Sequence, residues 1–92
     1  VTLVAFAALA LGGALTVRQR VIGAADAAAL AAADGASGAV VGEPCLLARR
    51  VAETAGAALD SCSLDGLVAT VAVSARIGPV PFAARSRAGP PP

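Results

Sequence analysis

The sequence predicts an α+β fold: a long N-terminal helix carrying a small head, built from a second short helix and an antiparallel β-hairpin or three-stranded sheet. Three observations predict it. Residues 1–17 are apolar and uncharged and lead into an alanine-rich stretch that ends at Asp34; Pro44 opens a short amphipathic segment; and Asp65-Gly66 stands before a valine-rich one. The 92 residues suffice for one small domain.

Composition narrows the chemistry. The chain is 58% hydrophobic, yet 26 of its residues are Ala, two are Phe, and Trp, Tyr and Met are absent. Bulky side chains for a large core are therefore scarce. His and Lys are also absent and all seven cations are Arg, which excludes a His-based triad, a Lys Schiff base, a P-loop lysine and a zinc site with His ligands. Two Cys without His make a poor zinc site, and Asp60 and Asp65, flanking the hairpin, read as turn and surface acids. The sequence thus predicts no enzyme, no cofactor and no small-molecule substrate. A net charge of +1 with almost no aromatics argues against a nucleic-acid surface, which needs clustered cations and stacking platforms. The chain starts at Val1 and contains no Met, so either a leader has been removed or this is part of a longer sequence.

Within residues 1–17 the only polar side chains are the hydroxyls of Thr2 and Thr16. As a helix this run spans about 25 Å at ~1.5 Å per residue, against a hydrocarbon core of ~30 Å. Its eight large apolar residues contribute roughly −2 to −5 kcal/mol on the insertion scale, from which Gly12, Gly13 and the threonines subtract. Three readings compete: a membrane-spanning helix, the apolar core of an export signal, and a buried helix of a soluble protein, for which little chain is left to do the burying. Ala8, Gly12 and Thr16 form a small-xxx-small stripe on one helix face, and Ala10 and Ala14 form another. Such stripes let helices approach closely in lipid, and alanine-rich sequence also produces them by chance. Arg18 and Arg20 end the run and by themselves favour a cytoplasmic C-terminal side.

Helix signals continue through residues 24–33, alanines interrupted by Asp26 and Leu30. Gly35 is the expected terminator, giving a helix over 1–34 with Gly23 as a weak point, then a connection over 35–43. Pro44 suits the first turn of a helix to Ala55, closed by Gly56, with Leu47, Val51 and Ala55 on one face. Leu59 to Leu64 and Leu67 to Ser74 read as strands joined by a type I′ turn at Asp65-Gly66, with Leu64 facing Leu67 and Cys62 facing Ala69. Gly78-Pro79-Val80-Pro81 interrupts. Phe82 to Ala88 reads as a third, edge strand with Arg85 and Arg87 on one side, where their charge protects the edge. The head covers 44–88, and 89–92 is a frayed tail.

The order of these pieces carries a resemblance. The apolar run, then Val17-Arg18-Gln19-Arg20, then Ala24-Ala25-Asp26-Ala27-Ala28-Ala29-Leu30-Ala31 looks like the N-terminal signature of TadE/TadG-like pseudopilins of Flp (tight-adherence, Tad) pilus and secretion systems. The remainder resembles an actinobacterial subgroup of small TadE-like proteins encoded near a helicase and a secretion cluster. It carries that subgroup's pieces in order: Cys45, Arg49-Arg50-Val51-Ala52, Cys62, Asp65-Gly66, Val71-Ala72-Val73 and Arg87-Ala88-Gly89-Pro90. Type IV pilins carry a Glu near the mature N-terminus, whereas here no acid precedes Asp26. The resemblance implies a pilin-like fold and a minor pseudopilin or assembly component. Its partners would be the lipid bilayer, other pilin subunits and Tad-type assembly machinery, and its head would lie outside the cytoplasm. Ala8, Gly12 and Thr16 are then the candidate helix-packing residues. The rival reading is a secreted or surface effector for which 1–17 is an export signal.

Cys45 and Cys62 are candidate disulfide partners. From Cys45 to Ala55 a helix rises about 15 Å, and six extended residues after Gly56 return about 20 Å, which brings Cys62 near the helix start. A head with so few large side chains is marginal without a staple. The alternative is two buried thiols acting as small hydrophobes, the state expected in a reducing cytoplasm.

Overall fold

Alanine is the best helix former and leaves the smallest chiral side chain at an interface, and both properties shape this molecule. The computed structural model describes the backbone of residues 2–91 and the side chains of residues 16–91. The elements are α1 (Thr2–Ser37), α2 (Pro44–Thr54), β1 (Ala58–Asp65), β2 (Val68–Ile77) and β3 (Val80–Ala88). The fold is α+β, with the three strands in the antiparallel order β1-β2-β3. Both helices pack on one sheet face, α1 against β2 and β3, and α2 between α1 and β1.

α1 is a single helix of 36 residues and runs through Gly23 and Gly35. The expected stop at Gly35 is therefore corrected: the helix ends at Gly38, whose φ of +83° is the left-handed conformation of a helix terminator. Gly38 N–H donates to the Gly35 carbonyl at 3.3 Å, and Val40 N–H and Ser37 Oγ both donate to the Asp34 carbonyl at 3.2 Å. Gly35 serves packing instead. A Cβ there would lie 2.9 Å from Leu47 Cδ1 and 3.0 Å from Pro44 Cα, so its bare backbone lets the α2 entry sit against α1. The connection shortens from 35–43 to 38–43.

Pro44 opens α2 as predicted, but the cap is Glu43. Its carboxylate accepts from Cys45 N–H at 3.1 Å and Leu46 N–H at 2.7 Å, satisfying two donors that a helix start leaves unpaired. At the other end Gly56 N–H donates to the Glu53 carbonyl and Ala57 N–H to the Ala52 carbonyl, both at 2.9 Å, with Gly56 at φ +78°. These two bonds make a Schellman motif. The inward face of α2 also differs from the expected Leu47, Val51 and Ala55: Ala48 and Ala52 are fully buried, while those three are half-buried. Close approach to α1 selects the smallest side chains and rotates the larger ones to the flank.

The first hairpin is offset by two residues from its predicted register. Asp65 pairs with Val68, Leu64 with Ala69 and Cys62 with Val71, so the turn is Gly66-Leu67 rather than Asp65-Gly66. A type I′ turn needs positive φ at both central residues; here Gly66 has φ +61° and Leu67 does not share it, the pattern of a type II′ turn. A two-residue offset preserves the faces, so Cys62 still points toward the helices. Between Leu59 and Ser61 the register shifts by one residue at Asp60. This bulge lets Leu59 and Cys62, three apart, both face inward. The second hairpin turns tightly at Gly78-Pro79, with Gly78 at φ +55° and Ile77 paired with Val80. The predicted interruption over 78–81 is thus only a two-residue turn, and β3 takes in Val80 and Pro81. β3 lies at the sheet edge, with Arg85 and Arg87 exposed.

Among the described residues the buried core is nine Ala and three Val: Val21, Ala24, Ala25, Ala28, Ala29 and Ala32 from α1, Ala48 and Ala52 from α2, Ala57, and Ala69, Val71 and Val73 from β2. Val17, Leu59, Cys62 and Phe82 flank it half-buried. Among the described residues several larger apolar side chains lie outside, Leu30 at 58% exposed and Val41 at 97% among them. Elements meet at short distance rather than through deep interdigitation, since the interaxial distance falls with side-chain size.

Candidate functional site

Cys45 and Cys62 are joined in a disulfide with a Cα–Cα distance of 5.8 Å. Cys45 sits in the first turn of α2, held there by the Glu43 cap, and Cys62 stands in β1 opposite Val71. The Asp60 bulge keeps the Cys62 side chain on the helix side. The bridge ties the second helix to the edge strand beneath it. Closing a 17-residue separation contributes roughly 3 kcal/mol in the chain-entropy account. A buried alanine methyl supplies only ~0.8 kcal/mol, so one bond matches several core residues.

Of the three helix-packing candidates, Ala8 and Gly12 lie outside the residues whose side chains are described. Thr16 is exposed on α1. The small-residue face that does pack lies further along: Ala24, Ala28 and Ala32 in one row, Ala25 and Ala29 in the next, all essentially inaccessible to solvent. It meets α2, β2 and β3 of the same chain. In an almost pure alanine sequence no hydrophobic period marks this face. The flank beside β3 is marked instead, because Asp26 and Asp34 lie eight residues apart with Leu30 between them and all three are exposed.

Asp26 has a further role that the sequence reading missed. Ser86 Oγ donates to Asp26 Oδ1 at 2.7 Å, across 60 residues of sequence, and fastens α1 to β3. The alternation of exposed Arg85 and Arg87 around Ser86 was the available signal, since it turns Ser86 toward the helices.

The remaining polar groups are spread over the surface. Asp60 and Asp65 are both exposed on β1, and among the described residues no three His, Cys, Asp or Glu side chains gather in a way that could hold a metal. Charge is mixed along the head: Glu53 shares a groove with Arg76 and Arg49 at one end, and Arg87, opposite Thr70, lies toward the other. Asp34 lines an open groove of about 240 Å³ with Leu30, Leu67 and Pro90. Asp65 and Glu43 belong to the same end, because the hairpin turn beside Asp65 carries Leu67, and Pro44 beside Glu43 touches Gly35. Arg18, Arg20 and Arg76 lie toward the opposite end and are exposed.

Among the described residues no helix is long and apolar enough to cross a membrane; the 1–17 run lies almost wholly outside the described side chains. Comparison with known proteins returns no matching family model, no matching curated protein and no matching solved structure.

Proposed function

We propose that this chain is a minor pseudopilin or assembly component of a Tad/Flp-type pilus or secretion apparatus, with a structural role. The observation that carries the reading is the relation of helix to head. α1 is 36 residues long, among the described side chains the head packs on it at Val17 and beyond, and the sequence before Val17 is the uncharged apolar run. The longest dimension, 54 Å, is the length such a helix has at ~1.5 Å per residue. In this reading the apolar run holds the subunit in the bilayer and packs against other helices, through Ala8, Gly12 and Thr16, when the subunit enters an assembly. The disulfide supports an extracytoplasmic head, because such bonds persist in oxidising compartments.

The test is fractionation of the native host combined with a topology reporter. Carbonate-resistant membrane retention, with a cytoplasm-active reporter fused after Pro92 remaining dark, is the expected result. A shorter soluble form in the medium would establish the secreted effector instead. A bright reporter would place the head in the cytoplasm and end the pilin reading.

A further inference from the structure

The β2–β3 hairpin outruns the rest of the sheet. β1 pairs with β2 only as far as Ala58 opposite Ser74, whereas β2 and β3 continue together through Ala75–Phe82, Arg76–Pro81 and Ile77–Val80. Three residue pairs, about 10 Å of two-stranded ribbon, therefore project past the β1 edge. Such a ribbon is weakly held, since two strands alone are marginally stable in water. This one ends in Ile77-Gly78-Pro79-Val80-Pro81, all exposed, with Ile77 at 41% and Val80 at 51%. Ile77 and Val80 extend the inward apolar row of Val71, Val73, Ala75 and Phe82 beyond the buried core, while Arg76 lies on the other face.

The position of this tip along the helix gives it meaning. Ser86 is bonded to Asp26, and further along β3 Gly89 and Pro90 meet Leu30, Ala33 and Asp34, so β3 and α1 run in the same direction. Going back from Ser86 to Val80 covers about 20 Å of strand, the length of about 13 helical residues. The tip thus lies level with about residue 13 of α1, in the C-terminal part of the apolar run, with Arg18 and Arg20 about 8–10 Å further along the helix. Arg76 adds a third cation toward this end, in a groove it shares with Arg49 and Glu53. Of the acids, Asp34, Glu43 and Asp65 are at the far end and Glu53 stands beside Arg76.

We infer that the β2–β3 tip is a second membrane contact, with Ile77, Pro79 and Val80 entering the interfacial layer of a phospholipid bilayer and Arg18, Arg20 and Arg76 meeting its phosphates. The inference rests on the membrane-anchored reading of residues 1–17. An exposed apolar patch bordered by cations fits a lipid interface. A helix alone leaves the head free to rotate and tilt about one point. A second contact at the same depth would fix its orientation relative to the membrane plane.

The chain contains no Trp or Tyr, so one introduced indole is the only such fluorophore. The full chain is reconstituted into vesicles of zwitterionic and anionic phospholipid, and quenching by lipids brominated along the acyl chain is compared for Leu9→Trp, Val80→Trp and Val41→Trp. Ile77→Trp duplicates the tip position should Val80→Trp misfold, and intact mass checks the disulfide in each variant. The expected result is quenching at positions 9 and 80, with none at 41, and weaker quenching at 80 when Arg76→Ala is added. Quenching at 9 without quenching at 80 or 77 would overturn the tip contact and leave the anchor standing. No quenching at any position would overturn the anchor and the tip together. Quenching at 41 as well would show a head collapsed on the bilayer without a preferred face, and would also overturn the inference.

Discussion

The two sides of the head are held by different means. Where α1 crosses β2 and β3, the contact is alanine and valine packing joined by the side-chain hydrogen bond from Ser86 to Asp26. Where α2 covers β1, little is deeply buried beyond Ala48 and Ala52, and the assembly relies on a disulfide, a carboxylate cap and a Schellman motif. The first side draws its stability from many small contacts and the second from a few discrete devices. A short helix with small inward residues cannot bury enough area to hold itself, so covalent and hydrogen-bonded fastenings take over. The first side should therefore give way gradually to changes in volume, and the second abruptly to the loss of a single group.

The strongest way to break this contrast is to remove the bridge. Cys45→Ser with Cys62→Ser should lower stability by about 3 kcal/mol. Hydrogen exchange should show α2 and β1 losing protection while α1, β2 and β3 keep most of theirs. Uniform loss across the head would show that the two sides are one cooperative unit. Next in size is overpacking of the alanine face. Ala28→Leu, at a position with no exposure, should cost about 1–3 kcal/mol because the helix must move off both α2 and the sheet. Ala27→Leu, one residue away and exposed, should be nearly neutral by circular dichroism melting. Smallest is the cap: Glu43→Ala should cost about 1 kcal/mol, and Glu43→Asp should restore most of it. If Glu43→Ala is silent, the cap is redundant with the neighbouring bridge.

Much of this architecture could be read in the sequence, and the failures share a cause. Both helices, the three strands, the edge position of β3 and the bridge followed from Pro44, the alanine run, the valine pattern and the length of chain between the two cysteines. What failed were positions set by close approach. Gly35 looks like a terminator by local rules, but its neighbours Leu47 and Pro44 arrive from elsewhere in the chain. The turn moved to Gly66-Leu67 because a single glycine satisfies type II′, and the offset lets a strand bulged at Asp60 keep Leu59 and Cys62 inward. Glu43 escaped notice as a cap because shorter polar side chains usually serve there. At the candidate site the cysteine pair was legible and the Asp26–Ser86 bond was not, since no local pattern joins residues 60 positions apart.

The all-small core also has a thermal consequence. The heat-capacity change on unfolding scales with the apolar surface exposed, about 0.45 cal/K/mol per Å². Alanine contributes little such surface, and among the described residues several large apolar side chains, Leu30, Val41 and Val80 among them, are already exposed when the chain is folded. Unfolding should therefore change the heat capacity by less than is usual for a chain of this length. The stability curve of such a head is low and broad, with a shallow maximum and distant limits on both the hot and cold sides. Stability of that kind changes slowly with temperature, and the disulfide raises the whole curve without sharpening it.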